Sequence, residues 1–134
     1  MLPTAYDDDL TQDYTIEYLP SRTPRLDRDF RRCAGTTDTL QAVEQAVYLI
    51  LNVERYQWLI YSWDYGVELR DLFGKPVRYC VTEIERRITE ALLQDDRITA
   101  VQNFRFETTK RTVATTFTVV SIFGEFEAAT EVTV

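Results

Sequence analysis

The stretch from Gly74 to Ile98 reads GKPVRYCVTEIERRITEALLQDDRI and contains the clearest helix pattern in the chain. Its apolar residues recur three and four positions apart, which is the spacing of one face of an α-helix. They are Val77, Val81, Ile84, Ile88, Ala91 and Leu92. Pro76 suits the first position of a helix, because its missing N–H has no hydrogen bond to lose there. We therefore predict a long helix that starts at Pro76 and covers a core with its apolar face.

The predicted helix ends in three charged residues, Asp95, Asp96 and Arg97. Two carboxylates at a helix C-terminus oppose the helix dipole, unless a cation or a partner offsets them. Arginine can bridge a carboxylate in fork geometry. We therefore expect Asp95 and Arg97 to act together, in binding or in local order rather than in catalysis, and assign all three residues to partner binding.

A second apolar stripe predicts another helix, from roughly Thr39 to Val53, with Asp38 as its N-cap. The stripe consists of Leu40, Val43, Ala46, Val47, Ile50 and Leu51. The connector to the next helix is crowded with aromatic residues, namely Tyr56, Trp58, Tyr61, Trp63, Tyr65 and Phe73. Such residues are most often the packed inside of a compact loop and less often an exposed recognition face. Within the connector, Val67 to Phe73 are predicted to form a short helix.

After Ile98 the pattern changes to a period of two, which is typical of strands. The alternating sets are Ile98, Ala100, Phe104 and Phe106, then Val113, Thr115, Phe117 and Val119, then Phe126, Ala128, Thr130 and Val132. Turns are predicted at Glu107 to Lys110 and near Gly124. Short links join consecutive strands into an antiparallel meander, so the sheet has at least three strands. We predict an α+β fold in which two helices cover one face of this C-terminal sheet.

The composition fits one domain, because 45% of the 134 residues are hydrophobic. A net charge of −7 argues against a nucleic-acid partner, which needs a basic surface, and favours protein partners. No apolar run approaches the ~20 residues that span a bilayer. The start of the chain also lacks a signal-peptide pattern. We expect a cytosol-like compartment and no membrane association.

The first 34 residues fit no helix or strand period and are predicted to form an extended N-terminal arm, followed by a single domain over residues 35–134. Residues 1–20 are acidic, and residues 21–34 are rich in arginine. Neighbouring segments of opposite charge mostly screen each other, although the basic one is also able to dock on an acidic partner. A short hairpin leading to Gly35 is compatible with the pattern.

The sequence offers little for catalysis or cofactor binding. It has no histidine, which is the commonest general base and metal ligand. It also lacks a glycine-rich phosphate loop, a cysteine metal cluster and a serine in a nucleophile setting. Asp95 and Asp96 are a poor glycosidase pair, since that mechanism needs carboxyl groups about 5 to 9.5 Å apart across a sugar. We predict no enzymatic activity, no cofactor and no metal.

The run from Ile50 to Pro76, followed by the long helix and ALLQDDRI, resembles the baseplate wedge and sheath-initiator proteins of contractile phage tails. Within that family it looks most like the XkdS-like branch of defective-prophage tails. The matching residues are Tyr65 and Gly66, Leu69 to Phe73, Pro76, and Ala91 with Leu92. The family's Glu-Pro-Arg-Ile signature corresponds to Asp95-Asp96-Arg97-Ile98, with Asp96 in place of the proline. The resemblance covers roughly Thr39 to Val134.

The resemblance implies a structural part of the baseplate in a virion or tail-like particle, assembled in the cytoplasm of the bacterial host. Its implied partners are the sheath protein, the baseplate wedge proteins, tube or hub proteins, and further copies of itself in a hexameric ring. It also implies a sheet edge on which the first sheath ring assembles.

We expect the last strand, about Glu125 to Val134, to be this edge, because it alternates cleanly and no element follows it in the sequence. Free N–H and C=O groups at a sheet edge accept another chain's strand. The expected partner-binding residues of the strand are Glu125, Glu127, Ala129, Glu131 and Thr133.

Two other functions stay open from the sequence. Some relatives carry a lysozyme label, so a carboxylate-dependent peptidoglycan hydrolase of the tail is the enzymatic alternative. A tail assembly adaptor or chaperone would share the sheet edge. Peptidoglycan clearing that is lost on Asp95→Ala favours the hydrolase, whereas sheath polymerisation seeded by the protein favours the initiator.

Overall fold

The structure is a computed structural model that describes Thr15, Glu17 and residues 21–134, so most of the predicted N-terminal arm lies outside the described residues. The elements are β1 (Thr23–Asp27), β2 (Arg32–Thr37), α1 (Thr39–Leu51), a 3-10 helix (Arg70–Leu72), α2 (Val77–Leu93), β3 (Ile98–Thr109), β4 (Thr112–Ser121) and β5 (Gly124–Thr133). β3, β4 and β5 form an antiparallel sheet with β4 in the centre, and β1 pairs with β2. The predicted α+β fold is confirmed.

β1 and β2 lie within and just beyond the predicted arm, residues 1–34. The hairpin expected near Gly35 is present. Gln45 of α1 attaches it, since the Gln45 side chain accepts a hydrogen bond from the Leu26 N–H at 2.8 Å and donates one to the Pro24 carbonyl at 2.9 Å. The predicted boundary between arm and domain, at residue 35, falls inside β2.

α1 begins as predicted and ends slightly earlier. The Asp38 carboxylate caps it by accepting a hydrogen bond from the Thr39 N–H at 2.7 Å. The last helical residue is Leu51, because the Asn52 side chain donates to the Tyr48 carbonyl at 2.7 Å and closes the final turn. Its buried residues are Ala42, Val43, Val47 and Ile50. The stripe therefore faces the core as expected.

α2 begins at Val77, one residue later than predicted, and Pro76 precedes it as the N-cap. The Pro76 carbonyl accepts the first helical hydrogen bond, from the Cys80 N–H at 3.0 Å. The buried residues are Cys80, Ile84, Ile88, Ala91 and Leu92. Full burial of each large aliphatic side chain stabilises the fold by about 1.5–3 kcal/mol. The short helix predicted over Val67–Phe73 is a single 3-10 turn.

The sheet buries one face under the helices. On β4 every second residue is buried, namely Val113, Thr115, Phe117, Val119 and Ser121. On β5 the predicted inward residues, Phe126, Ala128, Thr130 and Val132, are half-buried or buried. Both alternation patterns are confirmed, because neither strand has a register shift against the other.

On β3 the predicted alternation is partly wrong. The core-facing residues are Ile98, Val101, Phe104 and Phe106. Ala100, which was predicted to face the core, pairs with Val120 on the outer face. Irregularities interrupt the register just before Ala100 and between Gln102 and Arg105. Each extra residue in a bulge reverses the alternation, so a strict period of two cannot describe this strand.

The aromatic connector between α1 and α2 is closed at its base. Glu54 pairs with Val67 in an isolated bridge, and the Val67 N–H donates to the Val53 carbonyl at 3.0 Å. Tyr65 stacks on Tyr61 with 4.6 Å between ring centroids. The exposed large apolar and aromatic residues of the connector are Tyr56, Trp58, Leu59, Ile60, Tyr61, Trp63 and Phe73. The interpretation as a packed loop interior is wrong for them, because no described element forms a second layer over the connector.

Gly66 allows this closure. Its φ is +95°, and a Cβ at this position would lie 2.6 Å from the Val53 carbonyl oxygen. We expect Gly66→Ala to lower the free energy of unfolding by about 2–3 kcal/mol, because it adds a backbone clash to an unfavourable φ. Urea denaturation measures this loss. Gly35→Ala is the matched control, since its φ is +71° but its Cβ would meet nothing within 4 Å. Equal losses in the two variants would contradict the expectation.

Candidate functional site

β5 forms one edge of the three-stranded sheet. β4 pairs with it continuously, from Ser121 opposite Gly124 to Thr112 opposite Thr133, without a register shift. In the part of the chain that the structure describes, no strand pairs with the other side of β5. This edge is therefore regular and open to an additional strand.

The backbone N–H groups of β5 point alternately toward β4 and away from it. Val134 sets the phase of this alternation, because its N–H donates to the Arg111 carbonyl at 2.7 Å. The even-numbered residues therefore face β4. The N–H groups directed to the open edge belong to Glu125, Glu127, Ala129, Glu131 and Thr133. These are the strand's predicted partner-binding residues, and all their side chains are exposed.

Three of these side chains form an acidic row, which consists of Glu125, Glu127 and Glu131 on the outer face of the sheet. The Glu127 carboxylate lies 3.8 Å from the Arg105 guanidinium, but both side chains are mostly exposed, so the ion pair contributes little. Among the described residues, Glu125 and Glu131 form no ion pair. The row thus places three carboxylates beside the open edge, of which Glu127 alone has an ion-pair partner among the described residues.

A groove follows the core side of the same edge, and we call it the edge groove. Its first part, about 720 Å³, lies between α1 and residues 126–131 of β5. Its second part, about 680 Å³, lies between the aromatic connector and Thr130–Thr133. Leu51 and Thr130 line both parts, so the two parts lie next to each other along β5. The apolar side chains around the second part are Leu51, Trp58, Leu69, Phe73 and Val132.

β3 forms the opposite edge of the sheet and is less regular. Its register with β4 shifts before Ala100 and again between Gln102 and Arg105, where Asn103 has a φ of +56°. Bulges bend a strand and disrupt the spacing of its free N–H and C=O groups. An incoming strand therefore finds a continuous hydrogen-bonding template on β5 and an interrupted one on β3.

The second group of predicted residues lies where α2 passes into β3. The Arg97 guanidinium donates two hydrogen bonds to the Asp95 carboxylate in a fork: Arg97 Nε lies 2.9 Å from Asp95 Oδ1, and Arg97 Nη2 lies 2.7 Å from Asp95 Oδ2. The Arg97 N–H also donates to Oδ1 at 3.0 Å. Both side chains are mostly buried, at 12% exposure for Asp95 and 21% for Arg97. The predicted pairing of Asp95 with Arg97 is therefore present, as a mostly buried unit held by three hydrogen bonds.

The Asp95 carboxyl stays ionised in this setting. Burial by itself raises the pKa of Asp95, but the hydrogen bonds from the Arg97 side chain and backbone outweigh it, so the pKa lies below its ordinary value of 3.8. The hydrogen bond to Asp95 in turn raises the pKa of Arg97. Asp96 is exposed beside the pair. The three charges therefore form one local unit with a net negative charge.

A hollow of about 660 Å³ adjoins this unit and is lined by Tyr65 and by residues 94–97. Burial raises the pKa of Tyr65, with further contributions from Tyr61 and Asp95. The Arg97 carbonyl accepts a hydrogen bond from the Ile122 N–H at 3.0 Å, in the turn that leads into β5. The two groups of predicted residues are therefore linked through that turn but do not form one cluster.

The walls of the edge groove contain functional candidates that the sequence pattern missed. Leu51 belongs to the predicted core stripe, and Trp58 and Phe73 belong to the connector. No local pattern places these residues opposite β5, because the strand lies more than 50 positions later in the chain. The high density of aromatic residues in the connector was the only sequence signal for Trp58 and Phe73, and their exposure became visible only in the structure.

Within residues 21–134 and at Thr15 and Glu17, no group of three histidine, cysteine or acidic side chains is placed to hold a metal ion. No helix in this part of the chain is long and apolar enough to cross a membrane.

Comparison with known proteins identifies the family. Residues 22–124, more than three quarters of the chain, match the family described as "Contractile injection system sheath initiator". The match begins earlier than the Thr39 indicated by the resemblance, so it includes the β1–β2 hairpin, and it ends at the first residue of β5. The phage-like element PBSX protein XkdS of Bacillus subtilis (strain 168) is 41% identical over 91 residues. The match covers 65% of this chain and 64% of that relative, which is slightly less than two thirds of its length. The resemblance is thus confirmed, and the chain belongs to the contractile injection system sheath initiator family.

Proposed function

We propose that this protein joins the baseplate of a contractile tail to its sheath and starts sheath assembly by accepting a strand on β5. The main support for this proposal is the open edge of β5, which has no bulge and lies beside the edge groove. The family match supports a structural role in a contractile tail. Because the match ends at Gly124, the assignment of the docking edge to β5 rests on the structure alone.

Strand addition fits both the backbone and the side chains of this edge. The outward N–H and C=O groups of Glu125 to Thr133 provide affinity, since an edge strand satisfies them only with water. The edge groove receives alternate side chains of the incoming strand and so defines its register. The exposed carboxylates discourage pairing of two copies through their own β5 strands, because like charges would then face each other.

The proposed particle contains several copies of the protein around the tail tube, in a hexameric ring. In this arrangement the Asp95–Arg97 fork contacts the baseplate wedge proteins and β5 faces the sheath protein. The two surfaces are separate, and the hydrogen bond from the Ile122 N–H to the Arg97 carbonyl links them through the β4–β5 turn. A chain placed between baseplate and sheath needs two such separate surfaces. The ring assembles in the bacterial cytoplasm before the sheath is added.

The hydrolase alternative finds no support in the geometry of Asp95. Both of its oxygens are occupied by Arg97, and its pKa is lowered. A glycosidase general acid needs a raised pKa. The adaptor alternative differs from the initiator only in whether the protein remains in the finished particle.

Seeded assembly tests the proposal. Tail tubes with baseplates that lack this protein are mixed with purified sheath protein, with and without the purified chain. We expect sheath, extended or contracted, to grow from the baseplate end only when the purified chain is added, and negative-stain electron microscopy measures this growth. We also expect a labelled form of the chain to remain in the finished particle. Sheath that grows equally well without the chain would refute the initiator function. A chain that promotes sheath growth but is absent from the finished particle would identify an adaptor instead.

A further inference from the structure

We infer that the strand accepted by β5 alternates basic and apolar side chains, with the basic ones over the acidic row and the apolar ones in the edge groove. This inference rests on the proposed strand addition and specifies the chemistry of its partner. It follows from what lies on each side of the open edge.

The outer face determines the basic positions. A strand added to β5 places every second side chain beside Glu125, Glu127, Ala129, Glu131 and Thr133, at the close spacing of cross-strand neighbours. Because the carboxylates of Glu125 and Glu131 form no ion pair within the described residues, a cation opposite them meets no competing partner. Ala129 interrupts the row. The partner strand should therefore have two basic residues two positions apart, opposite Glu125 and Glu127, and a third basic residue four positions further, opposite Glu131. A neutral residue lies opposite Ala129.

The inner face determines the apolar positions. The remaining side chains of the added strand point toward the edge groove. Arg28 and Glu44 also line its first part, and Glu54 and Arg70 stand beside the apolar residues of its second part. Trp58 and Phe73, which are 56% and 65% exposed, line the second part of the groove. Apolar side chains opposite Thr130 and Val132 would cover these aromatic surfaces and remove them from water. A polar strand would leave them exposed and gain only backbone hydrogen bonds.

The shape of the acidic row also favours one partner over another copy of this chain. A second β5 would bring its own carboxylates against Glu125, Glu127 and Glu131, and like charges directly opposite are destabilising. A lysine- or arginine-bearing strand reverses the sign of these contacts. The acidic row therefore selects the partner as well as protecting the free edge.

A synthetic peptide tests this pattern. The nonapeptide TVKVAVKVK, blocked at both ends, has the expected pattern for antiparallel addition, and TVEVAVEVE is its charge-reversed control. Binding to the purified full chain is followed through backbone amide shifts of β5. We expect the lysine peptide to bind at least about tenfold more tightly than the glutamate peptide, since three favourable cross-strand pairs replace three unfavourable ones. A block peptide of the same composition, with all lysines at one end, controls for general attraction to an acidic protein.

Two protein variants separate the outer and inner faces. The triple variant Glu125→Lys, Glu127→Lys and Glu131→Lys should reverse the preference and favour the glutamate peptide. Trp58→Ser should weaken both peptides by several-fold without changing their ratio. Trp63→Ser is its matched control, because Trp63 is 81% exposed but does not line the edge groove, and it should change neither affinity.

The outcomes distinguish this inference from the proposed function. Peptides that shift β5 amides with equal affinity for lysine and glutamate, or a block peptide that binds as well as the alternating one, would overturn the pattern and leave strand addition standing. The absence of any β5 shift with both alternating peptides, together with seeded sheath growth that does not need β5, would overturn strand addition itself.

Discussion

Replacing Ala129 with proline should leave a folded protein that still joins the baseplate but yields tail tubes without sheath. The Ala129 N–H points to the open edge of β5, so the substitution removes an outward donor and places a ring where an added strand would approach. No hydrogen bond to β4 is lost. Edge strands tolerate such a proline, so the free energy of unfolding should fall by only about 1 kcal/mol. Electron microscopy of assembled particles and circular dichroism of the purified variant measure the two parts of this expectation.

Two further proline variants serve as controls. The Thr130 N–H faces β4, so Thr130→Pro breaks the ladder of the sheet and should cost about 3 kcal/mol or more of stability. Thr108→Pro places a proline on the open edge of β3, because Thr109 faces β4 in the pair with Thr112 and Thr108 therefore faces outward. Its particles should be fully sheathed. Sheathed tails from the Ala129→Pro variant would move the docking surface away from β5, to the exposed connector of Tyr56 to Tyr65.

Replacing Arg97 with alanine should prevent the protein from entering the baseplate while the domain remains folded. The change removes the fork that holds Asp95 and leaves a mostly buried carboxylate without its cation. Loss of one partner of such a pair typically costs about 1–3 kcal/mol, which a domain of this size survives. The proposed contact surface at the end of α2 would lose the Arg97 side chain and its positive charge. Co-sedimentation of the variant with baseplates measures incorporation.

Acid unfolding checks that the variant acts through this pair. Because the folded-state pKa of Asp95 is lowered, its contribution to stability is fully present above the ordinary value of 3.8 and is lost as the pH falls through the folded-state pKa. The stability difference between wild type and Arg97→Ala should therefore shrink in that acidic range. Arg86→Ala is the matched control, since Arg86 pairs with Glu83 on the exposed side of α2. It should enter baseplates normally, because exposed ion pairs contribute little. Normal incorporation of Arg97→Ala would exclude the fork from the baseplate contact.

Elements with a local signal could be predicted from the order of residues. The buried face of α2, the cap of α1 at Asp38 and the alternation of β4 and β5 follow from the period of the backbone, which each residue shares with near neighbours. The pairing of Asp95 with Arg97 was also predictable, because the two residues are only two positions apart and the Arg97 guanidinium can reach the Asp95 carboxylate. The family resemblance could also be found from the sequence, because it depends on the order of these locally predictable elements.

Features that depend on distant parts of the chain could not be predicted in this way and became visible in the folded protein. The bulges of β3 exchanged Ala100 for Val101 on the core face, because register against β4 overrides a strict period of two. The hydrogen bond from the Val134 N–H to the Arg111 carbonyl fixes which N–H groups of β5 face β4, so the N–H of Ala129, and not that of Thr130, points to the open edge. The edge groove forms because α1 and the aromatic connector pack beside β5, a strand that lies much later in the chain. Contacts between residues so far apart leave no periodic pattern in the local sequence.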